Sequence, residues 1–335
     1  PEKNIGSNHI LILGEENFFM NISIKPILFL LISSPLIAEV FVSHNNPVIN
    51  LLQPATWFWM ILTYGVPAVL IREIWKQMNL NILSVLILGI AYGILNEGII
   101  AQTLTQTSGE PAGPFIGYGT LYGIHLMWAT FILTWHAINS VLVPILLTHF
   151  LFPSQAEESW LGKKGFVAVA ILTALQYLLY FAGGLVPAIH SIQYFYIYLA
   201  VTVVIVILAI RIGHRFAPDL KQSKSPTYSH LILAGAVLPN LLYFLAYPAT
   251  LSRFPPALIS IIFGWSMFIF FFQYIHSHHW SSIHLLIFSL SSSMGFSLMS
   301  AALSKDISLV ITSIMFLIVG SWILKKSTSR LAAVQ

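Results

Sequence analysis

A chain of 335 residues that is 57% hydrophobic and only 8% charged, with a mean hydropathy of +0.83, is far from the composition of a water-soluble domain and reads as an integral membrane protein. Its net charge of +4 comes from basic residues scattered over short loops, which is not the footprint of a nucleic-acid partner. With no cysteine there are no disulfides, thiolate nucleophiles or thiolate metal sites, so any metal would rest on His, Asp and Glu.

The predicted elements are all helical. Residues 1–25 form an N-terminal segment whose first nineteen residues, PEKNIGSNHILILGEENFF, join poorly to the apolar run beginning at Met20. The expectation is an interfacial, leader or non-native stretch before a natural start at Met20, and not a signal peptide. Ten apolar segments follow, at about 26–43, 54–72, 82–101, 119–151, 165–183, 192–211, 229–247, 256–275, 283–302 and 307–324, each able to cross ~30 Å of hydrocarbon. If the first enters from the cytoplasm, twelve Lys and Arg residues fall on that side and only Arg253 and Lys305 on the other. The expected fold is therefore an all-α, polytopic transmembrane bundle of about ten spans with both termini cytoplasmic. Residues 26–211 make a six-helix first half, 212–228 a basic cytoplasmic loop, 229–324 a four-helix second half, and 325–335 a cytoplasmic tail.

Chemistry-bearing residues concentrate in the first half. Glu39 stands near the outer end of the first segment, one turn after Pro35, which frees a carbonyl. Arg72 and Glu73 mark the cytoplasmic end of the second, where Arg72 is expected to cap the helix or meet a lipid headgroup. In the third, LSVLILGIAYGILNEGIIAQ, Gly89 and Gly93 permit close helix packing and Tyr92 and Asn96 fall one turn apart. Glu97 is the only acid of that segment, and an ionised carboxylate there needs a partner or water.

The run from Gly119 to Phe152 has no charged residue yet carries His125, Trp128, Ile132, His136, Asn139 and Ser140 at helical spacing. Read as one helix crossing once, with tilt or a kink at Pro144, it puts His125 and His136 on one face about 16 Å apart. His125 would then lie level with Glu97, and His136 deeper. A glutamate–histidine pair offers a base near neutral pH, and Asn139 an amide donor for an oxyanion. Glu39, Glu97 and His125 together are candidate ligands for a divalent metal. The tract QYIHSHHWSSIH resembles a metal site in composition only, and the serine-rich segment HLLIFSLSSSMGFSLMSAAL reads as a tightly packed core helix or as one lining a polar path.

Two resemblances add to this. The pieces IREIWKQMNL, LGIAYGILNEGIIAQTL, WHAINS and ILLTHFLFP with WLG resemble a family of uncharacterised prokaryotic multi-pass membrane proteins, which implies a cytoplasmic-membrane location and no known activity. Glu97 followed by His136 and Asn139 is distantly similar to the CPBP (CAAX-processing) intramembrane proteases. That likeness implies Glu97 as base, His125 or His136 as its partner and Asn139 as oxyanion donor. Asn96 stands where that family has a first glutamate, no arginine follows Glu97 on its helix, and Asn139 is three rather than four residues after His136.

Three functions remain open at this point. The first is an intramembrane hydrolase acting on a membrane-embedded peptide or lipidated substrate through Glu97, His125, His136 and Asn139. The second is a transporter or channel for a small solute, ion or lipid using the same residues. The third is a non-enzymatic membrane scaffold. In each the lipid bilayer is the surrounding partner.

Overall fold

The structure is a computed structural model that describes residues 24–43, 52–106, 116, 119–182, 192–215, 226–251, 266, 269, 280–303 and 306–332. Nine long helical elements stand among the described residues. Helix α1 is Ile24–Leu36 continued by the π turn Ile37–Phe41. Helix α2 joins Pro54–Met60, the π turn Ile61–Gly65 and Val66–Gln77. Helix α3 is Ile82–Leu95 with the π turn Asn96–Ile100, and α4 joins Leu126–Trp135, the π segment His136–Leu142 and Val143–Leu151. Helices α5 (Lys163–Ala182), α6 (Ile192–Arg215), α7 (Tyr228–Leu251), α8 (Ser282–Leu303) and α9 (Ile307–Ala332) complete the set.

Seven of these are candidate membrane spans by length and hydropathy: Ile24–Phe41, Pro54–Gln77, Ile82–Ile100, Leu126–Leu151, Ile192–His214, Ser282–Ala302 and Ile307–Ser329. The protein is thus mostly α-helical and polytopic. Helices α5 and α7 occupy the expected fifth and seventh segments, and the segment expected at 256–275 lies almost wholly outside the described residues.

The run from Gly119 is not one helix. Thr120–Leu121 (β1) pairs antiparallel with Ile124–His125 (β2), and α4 begins only at Leu126. Gly119 (φ +59°), Tyr122 (φ +47°) and Gly123 (φ +80°) adopt the left-handed backbone that closes so tight a hairpin. His125 therefore sits on a strand and not on the face that carries His136.

Helices α3 and α4 lie at the centre, and the glycines of α3 set their spacing. A Cβ at Gly89 would come within 2.7 Å of the Ala137 Cα, and one at Gly93 within 3.3 Å of the His136 Cβ. In lipid no hydrophobic force draws helices together, so such close backbone contact is what holds them. The serine-rich α8 is buried as expected, with Ser289 bonded to the Leu285 carbonyl (2.6 Å) and Ser300 to that of Ser43 (2.9 Å).

Prolines explain much of the irregularity. Pro67 and Pro144 cannot donate to the carbonyls four residues earlier, those of Thr63 and Ser140. Side chains from other helices take over: the Tyr92 hydroxyl donates to Thr63 O (2.8 Å) and Ser34 Oγ to Ser140 O (2.6 Å). Buried backbone acceptors in a membrane need such replacements. The π turns at 61–65 and 136–142 immediately precede these prolines, and the one at 37–41 follows Pro35.

Replacing Gly89 by valine should overpack the α3–α4 contact and cost about 1–3 kcal/mol or more. Gly165→Ala, which meets only the Leu161 side chain at 3.3 Å, should leave stability unchanged or raised. Thermal unfolding of the purified protein in detergent checks both.

Candidate functional site

The site grows from the α3–α4 contact. His136 Nε2 lies 2.7 Å from Glu97 Oε1, and the two residues are 1% and 6% exposed, so this carboxylate–imidazole pair is shielded from bulk water. The other carboxylate oxygen accepts a hydrogen bond from the Thr103 hydroxyl, whose oxygen in turn accepts from the Trp128 indole N–H (2.7 Å). An indole only donates, so the Thr103 oxygen accepts from Trp128 and its own proton is free to go to Glu97 Oε2, which leaves Oε1 and Nε2 facing each other. On its far side His136 Nδ1 meets Ser140 Oγ at 3.0 Å, one residue of α4 holding the next.

Aromatic rings enclose the imidazole. Tyr64 stacks on it with centroids 6.0 Å apart, while Tyr92 and Trp135 approach edge-on at 5.4 and 5.0 Å. The Tyr64 hydroxyl donates to Glu39 Oε1, which ties the second carboxylate to the same assembly, and Asn96 Nδ2 donates to the Tyr92 hydroxyl at 2.7 Å.

Each of Glu39, Tyr64, Glu97 and His136 lies in a π turn. A π turn inserts an extra residue and is recurrent at functional sites. Four of them meeting at one pair of side chains is the most distinctive feature of the molecule.

The sequence-based site is brought together only in part. Glu97 and His136 meet, against the depth difference expected of straight helices. The chain beyond Glu97 rises through the short helix Thr103–Thr105 before Gln106 reaches the level of His125, so Glu97 lies deeper than its distance from the helix end suggested. His125 does not join them: its Nε2 is 2.6 Å from the Gln106 carbonyl and its Nδ1 3.1 Å from Thr120 Oγ1. Asn139 turns away as well, donating to the Trp135 carbonyl (3.1 Å) and accepting from Ser293 Oγ (2.5 Å) on α8.

The expected metal set of Glu39, Glu97 and His125 fails for the same reason, since the hairpin holds His125 elsewhere. Among the described residues no three His, Asp or Glu side chains are grouped as metal ligands. His276, His278 and His279 lie outside the described residues, and His284 Nδ1 is bonded to Ser281 Oγ at 2.8 Å.

Residues 27–333 match a family described as an uncharacterised membrane protein family. The chain belongs to that family. It is an integral, multi-pass membrane protein, consistent with a cytoplasmic-membrane location. No curated protein and no solved structure matches it. Nothing in these comparisons supports a relation to the CPBP proteases.

A second polar cluster lies at the other end of α2 and α4. Arg72 and Glu73 are both 0% exposed and pair at 2.5 Å. Arg72 Nε donates to His149 Nε2 (3.2 Å), its remaining nitrogen to the carbonyls of Ala156 (3.0 Å) and Glu158 (2.5 Å), and its guanidinium lies 3.5 Å from the Trp160 ring centroid. Glu73 accepts from the backbone N–H groups of Trp160 and Leu161, both at 3.1 Å. Arg72 is thus an internal clamp on the 152–161 turn and not a headgroup contact. Its five donors in a fixed fork suit carbonyls lying in several directions, which an ammonium cannot reproduce.

Removing one partner of a buried ion pair leaves the other uncompensated at a cost of about 3–5 kcal/mol. Arg72→Met should therefore lower the unfolding temperature sharply, and Arg72→Lys should not restore it. Melting curves of the two variants beside the wild type test this.

Proposed function

We propose that the protein is a proton-linked membrane transporter of a small solute, in which the Glu97–His136 pair takes up and releases the proton. The observation that carries this reading is the buried row Trp128, Thr103, Glu97, His136 and Ser140, each hydrogen-bonded to the next. A carboxylate and an imidazole sharing one proton away from water, in a helix bundle, form a proton relay rather than a packing device. The π turns give each contributing helix a point at which its register can change. The sorting of Lys and Arg supports ten spans with both termini cytoplasmic, which places the pair in the outer part of the bundle.

Intramembrane hydrolysis is the second reading, favoured by one observation. Glu97, His136 and Ser140 follow the acid, imidazole and hydroxyl order of a nucleophilic triad. Against it, Ser140 is 0% exposed, and the Asn139 amide N–H, expected to meet an oxyanion, is bonded to its own helix. The scaffold reading differs from both in needing no proton movement.

Proteoliposomes with a trapped pH-sensitive dye and an imposed potential separate the three. With a panel of small solutes present, the wild type should move protons above the rate of empty liposomes. Glu97→Gln and His136→Ala should each lower that excess by at least about tenfold, a loss of roughly 1.4 kcal/mol in the barrier. Covalent labelling of Ser140 by a serine-directed fluorophosphonate would favour hydrolysis, and proton movement unchanged in Glu97→Gln would contradict the relay.

A further inference from the structure

Helix α5 turns its polar side inward. Thr173, Gln176 and Tyr177 are buried and Tyr180 half-buried, at the i, i+3, i+4, i+7 spacing of one helical face, while Ile171, Leu172, Leu175, Leu178 and Leu179 are exposed toward lipid. This face packs on the Val66–Gln77 part of α2 and on the two π turns that hold Tyr64 and Glu97. Thr173 donates to the Val169 carbonyl at 2.8 Å, and the Tyr180 ring meets Trp59 edge-on at 5.5 Å.

Among the described residues the two between them have no such partners. Gln176 is 3% exposed and neither its amide oxygen nor its amide nitrogen has a hydrogen bond there; Tyr177 is 6% exposed and its hydroxyl has none. The Tyr177 hydroxyl lies within electrostatic reach of the Tyr92 hydroxyl. Tyr92 is already committed, since it donates to Thr63 O and accepts from Asn96. A buried polar group without a partner is costly to a fold. An apolar residue at position 176 would avoid that cost, so the amide is out of place in a purely structural helix.

We infer that Gln176 and Tyr177 form the solute-binding face beside the Glu97–His136 pair, and that the solute is a small uncharged molecule carrying both hydrogen-bond donors and acceptors. The unmatched groups define the class. An amide supplies one donor pair and one acceptor, and a phenol supplies either. No charged side chain lies on the inward face of α5, whose only charged residues are Lys163 and Lys164 at its start. The Glu97 carboxylate beside this face is already bonded to His136 and Thr103, so a permanent ion would have to break that pairing to enter so dry a site. Small amides and polyols fit these groups. The inference deepens the transport reading and rests on it for the movement of the solute, but not for its binding.

The test uses the full-length protein and Gln176→Leu, which keeps the volume and removes the amide. Binding and proteoliposome uptake are measured with labelled acetamide, urea, glycerol and erythritol, with tetramethylammonium and acetate as charged controls. At least one neutral probe should bind and be taken up by the wild type, and Gln176→Leu should lower both by about tenfold or more, as loss of a matched hydrogen-bonding group does. The same variant should melt at the wild-type temperature or above, because no described residue is bonded to that amide. A fall in melting temperature would assign Gln176 a structural role and overturn the inference. So would the absence of neutral-probe binding, which would leave water as the occupant, or a preference for the charged probes. If Glu97→Gln abolishes proton movement while Gln176→Leu changes nothing, the binding face is wrong and the relay stands. If neutral-probe binding depends on Gln176 while Glu97→Gln is inert, the reverse holds.

Discussion

In the hydrocarbon layer there is no water to satisfy a freed carbonyl, a carboxylate or an imidazole, so every such group in a membrane-spanning helix must find its partner inside the protein. The arrangement around Glu97 follows from that constraint. Its two oxygens are taken by His136 and Thr103, and the imidazole is held from its other side by Ser140. The carbonyl freed by Pro144 is met by Ser34, and the one freed by Pro67 by Tyr92. Tyr92 is also a wall of the imidazole enclosure, so the repair of a proline break and the construction of the site are one piece of structure.

The two polar clusters differ in kind. Arg72 and Glu73 use all their bonding directions on backbone groups and neighbours of fixed position, on an α-helical stretch, and join the ends of α2 and α4 to the turn at 152–161. Glu97 and His136 sit instead in widened turns and bond a carboxylate directly to an imidazole. A rigid anchor at one end of two helices and adjustable turns toward the other is an arrangement in which one half can move while the other stays fixed.

Much of this was legible in the sequence. The helical, multi-pass character followed from composition, and the close approach at Gly89 and Gly93 and the Tyr92–Asn96 pair followed from spacing. Glu97 and His136 were found because charged or titratable groups are rare in such segments. Two readings missed for one reason, that helices were taken as regular. The hairpin at Thr120–His125 was hidden by an apolar run with no polar break, although Gly119 and Gly123 flank it. The depth of Glu97 was misjudged because the segment beyond it continues outward in short helical form. Asn139 was assigned by its chemistry, and its partner Ser293 lies 154 residues away, beyond any local pattern. Tyr64 and Thr103 carried no signal of their own. The bond from Ser34 could have been anticipated, since Pro144 leaves the Ser140 carbonyl in need of a donor.

The central claim is that one proton is shared between Glu97 and His136 in a buried network. The most direct measurement is solid-state NMR of the protein in lipid bilayers with its histidines labelled with 15N, following the His136 ring nitrogens across pH in the wild type and in Glu97→Gln. The account predicts a strongly hydrogen-bonded Nε2 whose signal moves in Glu97→Gln while Nδ1, held by Ser140, moves less. Ring nitrogens that titrate like those of a water-exposed histidine, unchanged when Glu97 becomes glutamine, would contradict it.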